Sequence, residues 1–216
     1  MNRFLIVFIL LITVVGCANN EKPVSIDLPY YTSSDLTPRW MKSPADTVHR
    51  IGAFSLTDQN GQSFTPDQLK GKVYAANFFF TTCPGVCRLM TKELHAFQEA
   101  FEEDSHVRMV SHTVMPWVDT VAQLKHFERT RDINGEFWHL LTGTKSEIYE
   151  LARASYFADE GFGKSVTKPS EFLHTENVML IDADGHIRGV YNGTLAVDIR
   201  RLIEDTRQLL GDSNLR

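Results

Sequence analysis

The chain of 216 residues has no block of basic residues, and its formal net charge is −5. A surface that binds phosphate groups is therefore not expected, and we predict no nucleic-acid partner. No internal repeat or low-complexity tract appears in the chain. Hydrophobic residues make up 43% and charged residues 23%, as in an ordinary globular domain.

The chain also lacks an apolar run long enough for a comfortable membrane span, which needs about 20 residues. The run Phe4–Val15 is shorter, follows Arg3 and ends at Gly16 and Cys17. This order is typical of an export signal, and the residues before Cys17 resemble the bacterial lipobox, whose cysteine becomes the lipidated first residue. The alternative is an uncleaved N-terminal anchor. Either way, we expect the protein to face the periplasm or the cell exterior, held at the membrane.

The expected organisation has three parts. Residues 1–16 are a signal peptide, and residues 17–48, with four prolines, are a lipidated tether. Residues 49–216 are long enough for one domain with a substantial core.

Cysteine is scarce, since only Cys83 and Cys87 remain after the signal region. An aromatic, β-prone run, residues 73–80, leads into Cys83, and an amphipathic segment follows Cys87. This pattern predicts a strand, a tight loop and a helix whose first turn contains Pro84. Cysteines four apart share one helix face, with Cβ atoms about 5–6 Å apart, so they can close a disulfide or bind a soft metal ion. We expect the helix N-terminus to favour thiolate at both, although buried core cysteines are the alternative.

The rest of the chain alternates strand and helix patterns. A hairpin is predicted at the Asn60–Gly61 turn, and a second hairpin over residues 177–191. Between them lie a strand at 107–114, helices at 118–130 and 144–157, a strand at 137–141 and a loop at 158–172, and a last helix follows at 195–210. We predict an α/β fold with a thioredoxin-like mixed sheet flanked by helices, and an N-terminal β-hairpin addition.

One histidine stands where thioredoxin-like reductases carry a cis-proline, just before the first strand of the second hairpin. No proline follows Pro169 there, and His174 occupies the region instead. In the predicted sheet His174 comes within reach of Cys83 and Cys87. Two thiolates and one imidazole suit copper, because soft thiolates select Cu(I) and imidazole suits both copper states. Zinc is the competing metal, but structural zinc normally takes four protein ligands and a fourth is not evident.

Together these motifs resemble the Sco/SenC family over roughly residues 49–210. The resemblance implies a membrane-anchored, thioredoxin-fold copper protein of cytochrome c oxidase assembly, with Cys83, Cys87 and His174 as metal ligands. It implies a partner as well: the CuA domain of oxidase subunit II, or another copper protein. The dithiol would deliver copper to that centre or reduce its cysteines, and a thiol reductant would keep the dithiol reduced.

The chain departs from the family's Asp-Pro-x-x-Asp pattern. Pro116 and Asp119 are present, but Met115 replaces the first acid. Packing is the expected role of Met115, with a soft contact to copper as the alternative. His112 is a weaker candidate ligand, since it could approach the site from a strand end.

Two other functions remain open at this point. A thiol–disulfide oxidoreductase would use Cys83 as the attacking thiolate and Cys87 as the resolving thiol, without need of His174. A peroxidase of the same fold is disfavoured, because the Pro-x-x-x-Thr-x-x-Cys context of peroxiredoxins is absent. A copper protein of this kind would not be an enzyme in the turnover sense.

Overall fold

The structure, a computed structural model, describes residues 27–42, 44–158 and 175–213. Cys17 and His174 lie outside these residues. A seven-stranded sheet forms the centre, in the order β2-β1-β9-β8-β5-β6-β7, and β3 and β4 form a separate antiparallel hairpin. The strands are β1 Tyr30–Tyr31, β2 Pro38–Arg39, β3 Leu56–Thr57, β4 Ser63–Phe64, β5 Val73–Phe79, β6 Val107–Thr113, β7 Trp138–Leu141, β8 Asn177–Ile181 and β9 Ile187–Asn192. The helices are α1 Val86–Phe101, α2 Val121–Thr130, α3 Lys145–Ala154 and α4 Ala196–Ser213.

Strand directions bring several loops to one edge of the sheet. Strands β5, β6 and β7 are parallel, and β8 is antiparallel to both β5 and β9. Strand β9 therefore runs in the direction of β5. The loop with Cys83 and Cys87, the β6–α2 loop and the β9–α4 loop all follow strands that end at this edge, and β8 begins there. We call it the dithiol edge.

Two apolar clusters cover the two faces of the sheet. Every residue of β5 is buried, which explains its continuous apolar run. Its Ala75 and Phe79 belong to the first cluster, with residues of α1, α2 and α4. Its Ala76 and Phe78 belong to the second cluster, with residues of α3 and the β3–β4 hairpin. Cys83 and Cys87 lie with the first cluster.

The predicted mixed sheet, flanking helices and added hairpin are confirmed. Thr57 pairs with Ser63 across the predicted Asn-Gly turn, where Gly61 has φ of 78°. Helix α3 begins with a capping box between Thr144 and Glu147. The described residues contain no helix with the length and apolar character that crossing a membrane requires.

One feature differs from the sequence interpretation, and a second adds detail to it. Helix α1 begins at Val86 with Gly85 as its N-cap, so Pro84 precedes the helix and does not lie in its first turn. Within the predicted tether, Tyr30–Tyr31 pairs with β9 at the sheet edge, and Arg188 extends its guanidinium over the Tyr30 ring, 3.9 Å from the ring centroid. Part of that segment therefore packs on the domain.

Candidate metal centre

The dithiol lies where β5 passes into α1. The backbone N–H of Cys83 donates to the carbonyl of Phe80 at 3.3 Å, which closes a tight turn directly after the strand. Helix α1 starts with glycine, which offers no side-chain oxygen to the unpaired N–H groups of its first turn. The Sγ atom of Cys83 takes that place and accepts the N–H of Cys87 at 3.3 Å. Both cysteines are free thiols.

The two sulfurs differ in electrostatic environment. Partial burial opposes ionisation of Cys83, but hydrogen bonds from Cys87 and from backbone N–H groups at the start of α1 hold the pKa of Cys83 below its ordinary value. Burial raises the pKa of Cys87 to about 12, and its hydrogen bond to Cys83 adds to the rise. The expectation of thiolate at both positions is therefore wrong for Cys87, because desolvation outweighs the helix dipole there. Of the two sulfurs, Cys83 is the one whose surroundings favour the thiolate form.

A buried carboxylate fixes the loop before Cys83. Asp119 is fully buried and accepts the backbone N–H of Thr81 at 3.1 Å, as well as the hydroxyl groups of Thr81 and Thr113, each at 2.5 Å. Gln123 donates to the same Thr81 hydroxyl at 3.1 Å. Asp119 thus joins the Cys83 loop to the β6–α2 loop through charge-assisted hydrogen bonds. From the sequence, Asp119 was noted only as part of the family pattern. Thr81, a hydrogen-bond donor two residues before Cys83, could have indicated this role.

The side chain of Met115, in the β6–α2 loop, points away from this network. Its side chain packs against the second apolar cluster, whereas the dithiol lies with the first. Its backbone N–H donates to the Thr113 hydroxyl at 3.0 Å. The thioether therefore has a packing role in this structure, which agrees with the expectation for this position.

A buried polar chain supports α1 beneath the dithiol. Trp138 donates to Ser111 at 2.8 Å, Ser111 donates to Asn77 at 2.5 Å, and the Asn77 amide donates to the sulfur of Met90 at 3.6 Å. Met90 is one turn along α1 from Cys87. A Cβ atom at Gly193 would lie 2.7 Å from Met90, so the β9–α4 loop also packs tightly on this turn. The helix that carries Cys87 is held from two sides.

His174, the predicted third ligand, is the residue before Thr175, where the described part of the chain resumes. The chain resumes at Thr175 and Glu176, and Val178 of β8 pairs with Asn77 near the end of β5. The Glu176 carbonyl accepts the N–H of Gly193 at 2.7 Å. The segment after His174 thus lies at the dithiol edge. Among the described residues alone, no three His, Cys, Asp or Glu side chains are arranged to hold a metal ion.

His112 does not approach the site. It belongs to the opposite face, where it stacks on Phe78 with ring centroids 5.1 Å apart and contacts Tyr156. Burial lowers the pKa of His112 to about 3, and neither ring nitrogen has a hydrogen-bond partner among the described residues. The residue after it, Thr113, is the one that reaches Asp119, because neighbouring strand residues point to opposite faces.

Comparison with known proteins agrees with this arrangement. A profile of the SCO1/SenC family matches residues 42–211. The chain belongs to the SCO1/SenC family. A SCO1/SenC family lipoprotein from Bacillus anthracis strain Ames has a similar structure, with 28% identity and a TM-score of 0.66 over 79% of this chain and 99% of that one.

Two other solved structures are similar over most of their length. BsSco, described as having a disulfide switch and as a member of the Sco family of cytochrome c oxidase assembly proteins, is 29% identical. The alignment covers 82% of this chain and 99% of BsSco, with a TM-score of 0.65. ScoI of Bradyrhizobium japonicum, solved with copper bound, is 28% identical over 74% of this chain and 99% of its own, with a TM-score of 0.58. The predicted family and thioredoxin-like Sco fold are thus confirmed.

Proposed function

We propose that this protein binds copper at Cys83 and Cys87 and serves as an assembly factor for the CuA centre of cytochrome c oxidase or for another copper protein. The observation that carries the proposal is the dithiol itself: two free sulfurs, one of them held at the start of α1 by the N–H of Cys87. The copper-bound relative and the oxidase-assembly relative support the choice of metal and of partner.

The donor set fits copper in its chemistry. Two soft sulfurs favour Cu(I) over the hard divalent cations. The lowered pKa of Cys83 makes thiolate available there, whereas Cys87 must give up a proton when a metal binds. A site with few ligands suits a protein that passes its metal on.

We propose His174 as the third ligand. Thr175, the next residue in the chain, lies at the dithiol edge together with the start of β8. Consecutive Cα atoms are about 3.8 Å apart, so the direct bond between His174 and Thr175 supports this choice of ligand. An imidazole nitrogen would complete a site that retains both copper oxidation states.

Copper titration of the reduced full chain tests the proposal. We expect one copper per chain and, in the Cu(II) state, a thiolate charge-transfer band. Either Cys83→Ser or Cys87→Ser should abolish that band, and Ser146→Ala, at an exposed position of α3, should not. Copper bound equally well by both cysteine variants would contradict the proposal.

A second function is favoured by the difference between the two sulfurs. The Cys83 thiolate would attack a partner disulfide and form a mixed disulfide while one partner sulfur leaves as thiolate. Cys87 would then lose its proton and attack Cys83, which releases the second partner thiol. The chain is left with a Cys83–Cys87 disulfide, and the partner has gained two electrons. Loss of function in His174→Ala would favour copper, and full function in that variant would favour this dithiol exchange.

We also propose that a lipid on Cys17 anchors the protein, with the domain of residues 49–216 facing the cell exterior or the periplasm. The lipoprotein relative supports the anchor, and stable anchoring needs more than one acyl chain. Cys17→Ser should abolish metabolic labelling with a fatty acid, and labelling that persists would exclude this anchor.

A further inference from the structure

A groove runs along α1 directly beside the dithiol. It has a volume of about 480 Å³ and begins at Gly85, between the two cysteines. One wall is the outer face of α1, and the other is the turn after α2, which carries Arg131 and Asp132. The side chain of Gln98 ties the walls together, since it donates to the Asp132 carbonyl at 3.2 Å and accepts the N–H of Asn134 at 2.9 Å. The groove is therefore a preformed feature of the fold.

The charge of this groove is opposite to that of the chain. The protein carries a net charge of −5, but the groove is lined by Arg88, Lys92 and Arg131 and by one carboxylate, Asp132. Within the described parts of the chain, Arg88 and Arg131 have no carboxylate within ion-pair distance, and Lys92 has only a 3.7 Å contact with Glu93. Such unneutralised cations in a concave site attract an anionic ligand.

The spacing of the basic side chains indicates the shape of that ligand. Arg88, Lys92 and His95 lie at i, i+4 and i+7 along one face of α1, a distance of about 10 Å. A single phosphate or lipid headgroup would engage only part of this row. A chain segment with several carboxylates can engage all of it. Leu89, which is 44% exposed, lies among these basic side chains and offers the segment an apolar contact.

We propose that this basic groove, lined by Gly85, Arg88, Leu89, Lys92, His95 and Arg131, docks an acidic segment of the partner protein that receives copper or electrons from the dithiol. The proposal rests on the function proposed above. Because the groove begins at Gly85, two residues after Cys83, a segment bound here would bring the partner's acceptor site next to the dithiol. Charge complementarity of this kind speeds association and suppresses wrong partners.

The test uses the reduced full chain in neutral detergent and a fluorescent hexaglutamate peptide, with binding followed by anisotropy. We expect binding at low salt that weakens as salt is added, because exposed charges are screened. The double variant Arg88→Glu/Lys92→Glu should weaken binding by about tenfold or more. The matched control Lys42→Glu/Lys70→Glu makes the same charge change with exposed lysines remote from the dithiol edge, and should bind as the parent does.

Several results would overturn the groove proposal. One is a failure of the parent to bind the peptide, and another is equal binding by Arg88→Glu/Lys92→Glu. A third is an effect of lipid without peptide binding. In it, phosphatidylglycerol added to phosphatidylcholine vesicles that carry the chain slows Cys83 alkylation, and Arg88→Glu/Lys92→Glu removes this effect. That result would assign the groove to a membrane surface.

Copper binding by the same variants separates the two proposals. If copper binds normally but Arg88→Glu/Lys92→Glu binds the peptide as the parent does, the groove proposal alone is refuted. Absence of copper binding together with Arg88- and Lys92-dependent peptide binding would support the groove and refute the copper function.

Discussion

The backbone N–H of Cys87 donates a hydrogen bond to the sulfur of Cys83 at 3.3 Å. The first cysteine therefore caps the helix that carries the second. One consequence is chemical. Cys83 Sγ accepts hydrogen bonds from backbone N–H groups at the start of α1, whereas Cys87 is buried in the first apolar cluster. Another is mechanical, since any ligand or disulfide that moves Cys83 Sγ also changes the capping of α1.

The reduced protein should be alkylated first at Cys83. Its lowered pKa gives Cys83 more thiolate than an ordinary thiol has at the same pH, whereas burial holds Cys87 as a thiol with a pKa of about 12. The alkylation rate of Cys83 should therefore level off at a lower pH than that of an ordinary thiol. Iodoacetamide labelling followed by mass spectrometry measures both rates, and Cys87→Ser shows Cys83 alone. Equal labelling of the two cysteines at neutral pH would refute the assignment.

Asp119→Asn should destabilise the protein and loosen the Cys83 loop. The carboxylate accepts the N–H and hydroxyl of Thr81 and the hydroxyl of Thr113, and an amide would turn its NH₂ toward some of these donors. We expect a loss of roughly 2–4 kcal/mol in the free energy of unfolding. Urea denaturation measures the loss, and Glu147→Gln on the exposed start of α3 is the control. A loss no larger than that of Glu147→Gln would exclude the proposed bracing role.

His112→Phe should remove part of the protein's sensitivity to acid. The folded pKa of His112 is about 3, below the ordinary value of 6.5, so the unfolded chain takes up a proton as pH falls below 6.5 while the folded chain does not. Between pH 7.5 and 5 this costs the parent about 2 kcal/mol of stability. Urea denaturation at pH 7.5 and at pH 5 should show a smaller loss for His112→Phe. His126→Phe, at an exposed position of α2, is the control, and equal losses in all three proteins would contradict the prediction.

Gly193→Ala should be destabilising, because its Cβ would lie 2.7 Å from Met90 Cγ and 2.8 Å from Val178 Cγ2. Overpacking of this kind costs about 1–3 kcal/mol. Gly211→Ala in α4 is the matched control, since nothing lies within 4 Å of its Cβ and alanine favours a helix. Thermal or urea denaturation should separate the two variants in opposite directions. Equal stability would show that the β9–α4 loop does not press on α1.

Local sequence patterns were sufficient to predict several elements of the fold. The buried run of β5, the Asn60–Gly61 turn and the Thr144–Glu147 capping box each have a local cause that is visible in neighbouring residues. Strands β1 and β2 have two residues each, too few to show a period. Their pairing depends on the exposed edge of β9, which only the assembled sheet provides.

The pairing of the two cysteines was predictable from the sequence, but the difference in their pKa values was not. Residue spacing brought Cys83 and Cys87 together correctly, whereas the raised pKa of Cys87 follows from burial by distant helices and strands. His112 points to the sheet face opposite the dithiol, because the register of β6 against β5 decides which strand residues point toward α1. The role of Asp119 and the basic groove likewise arise from contacts between segments far apart in sequence. The place of His174 remains a prediction.

Copper affinity of the reduced full chain, parent against His174→Ala, tests the central claim most directly. A competition titration with a Cu(I) chelator under anaerobic conditions measures it, and His126→Ala serves as the control for loss of an exposed imidazole. We expect His174→Ala to weaken binding on the order of a hundredfold with its urea midpoint unchanged, and His126→Ala to match the parent. Parent-like affinity in His174→Ala would contradict a site made of two sulfurs and one imidazole.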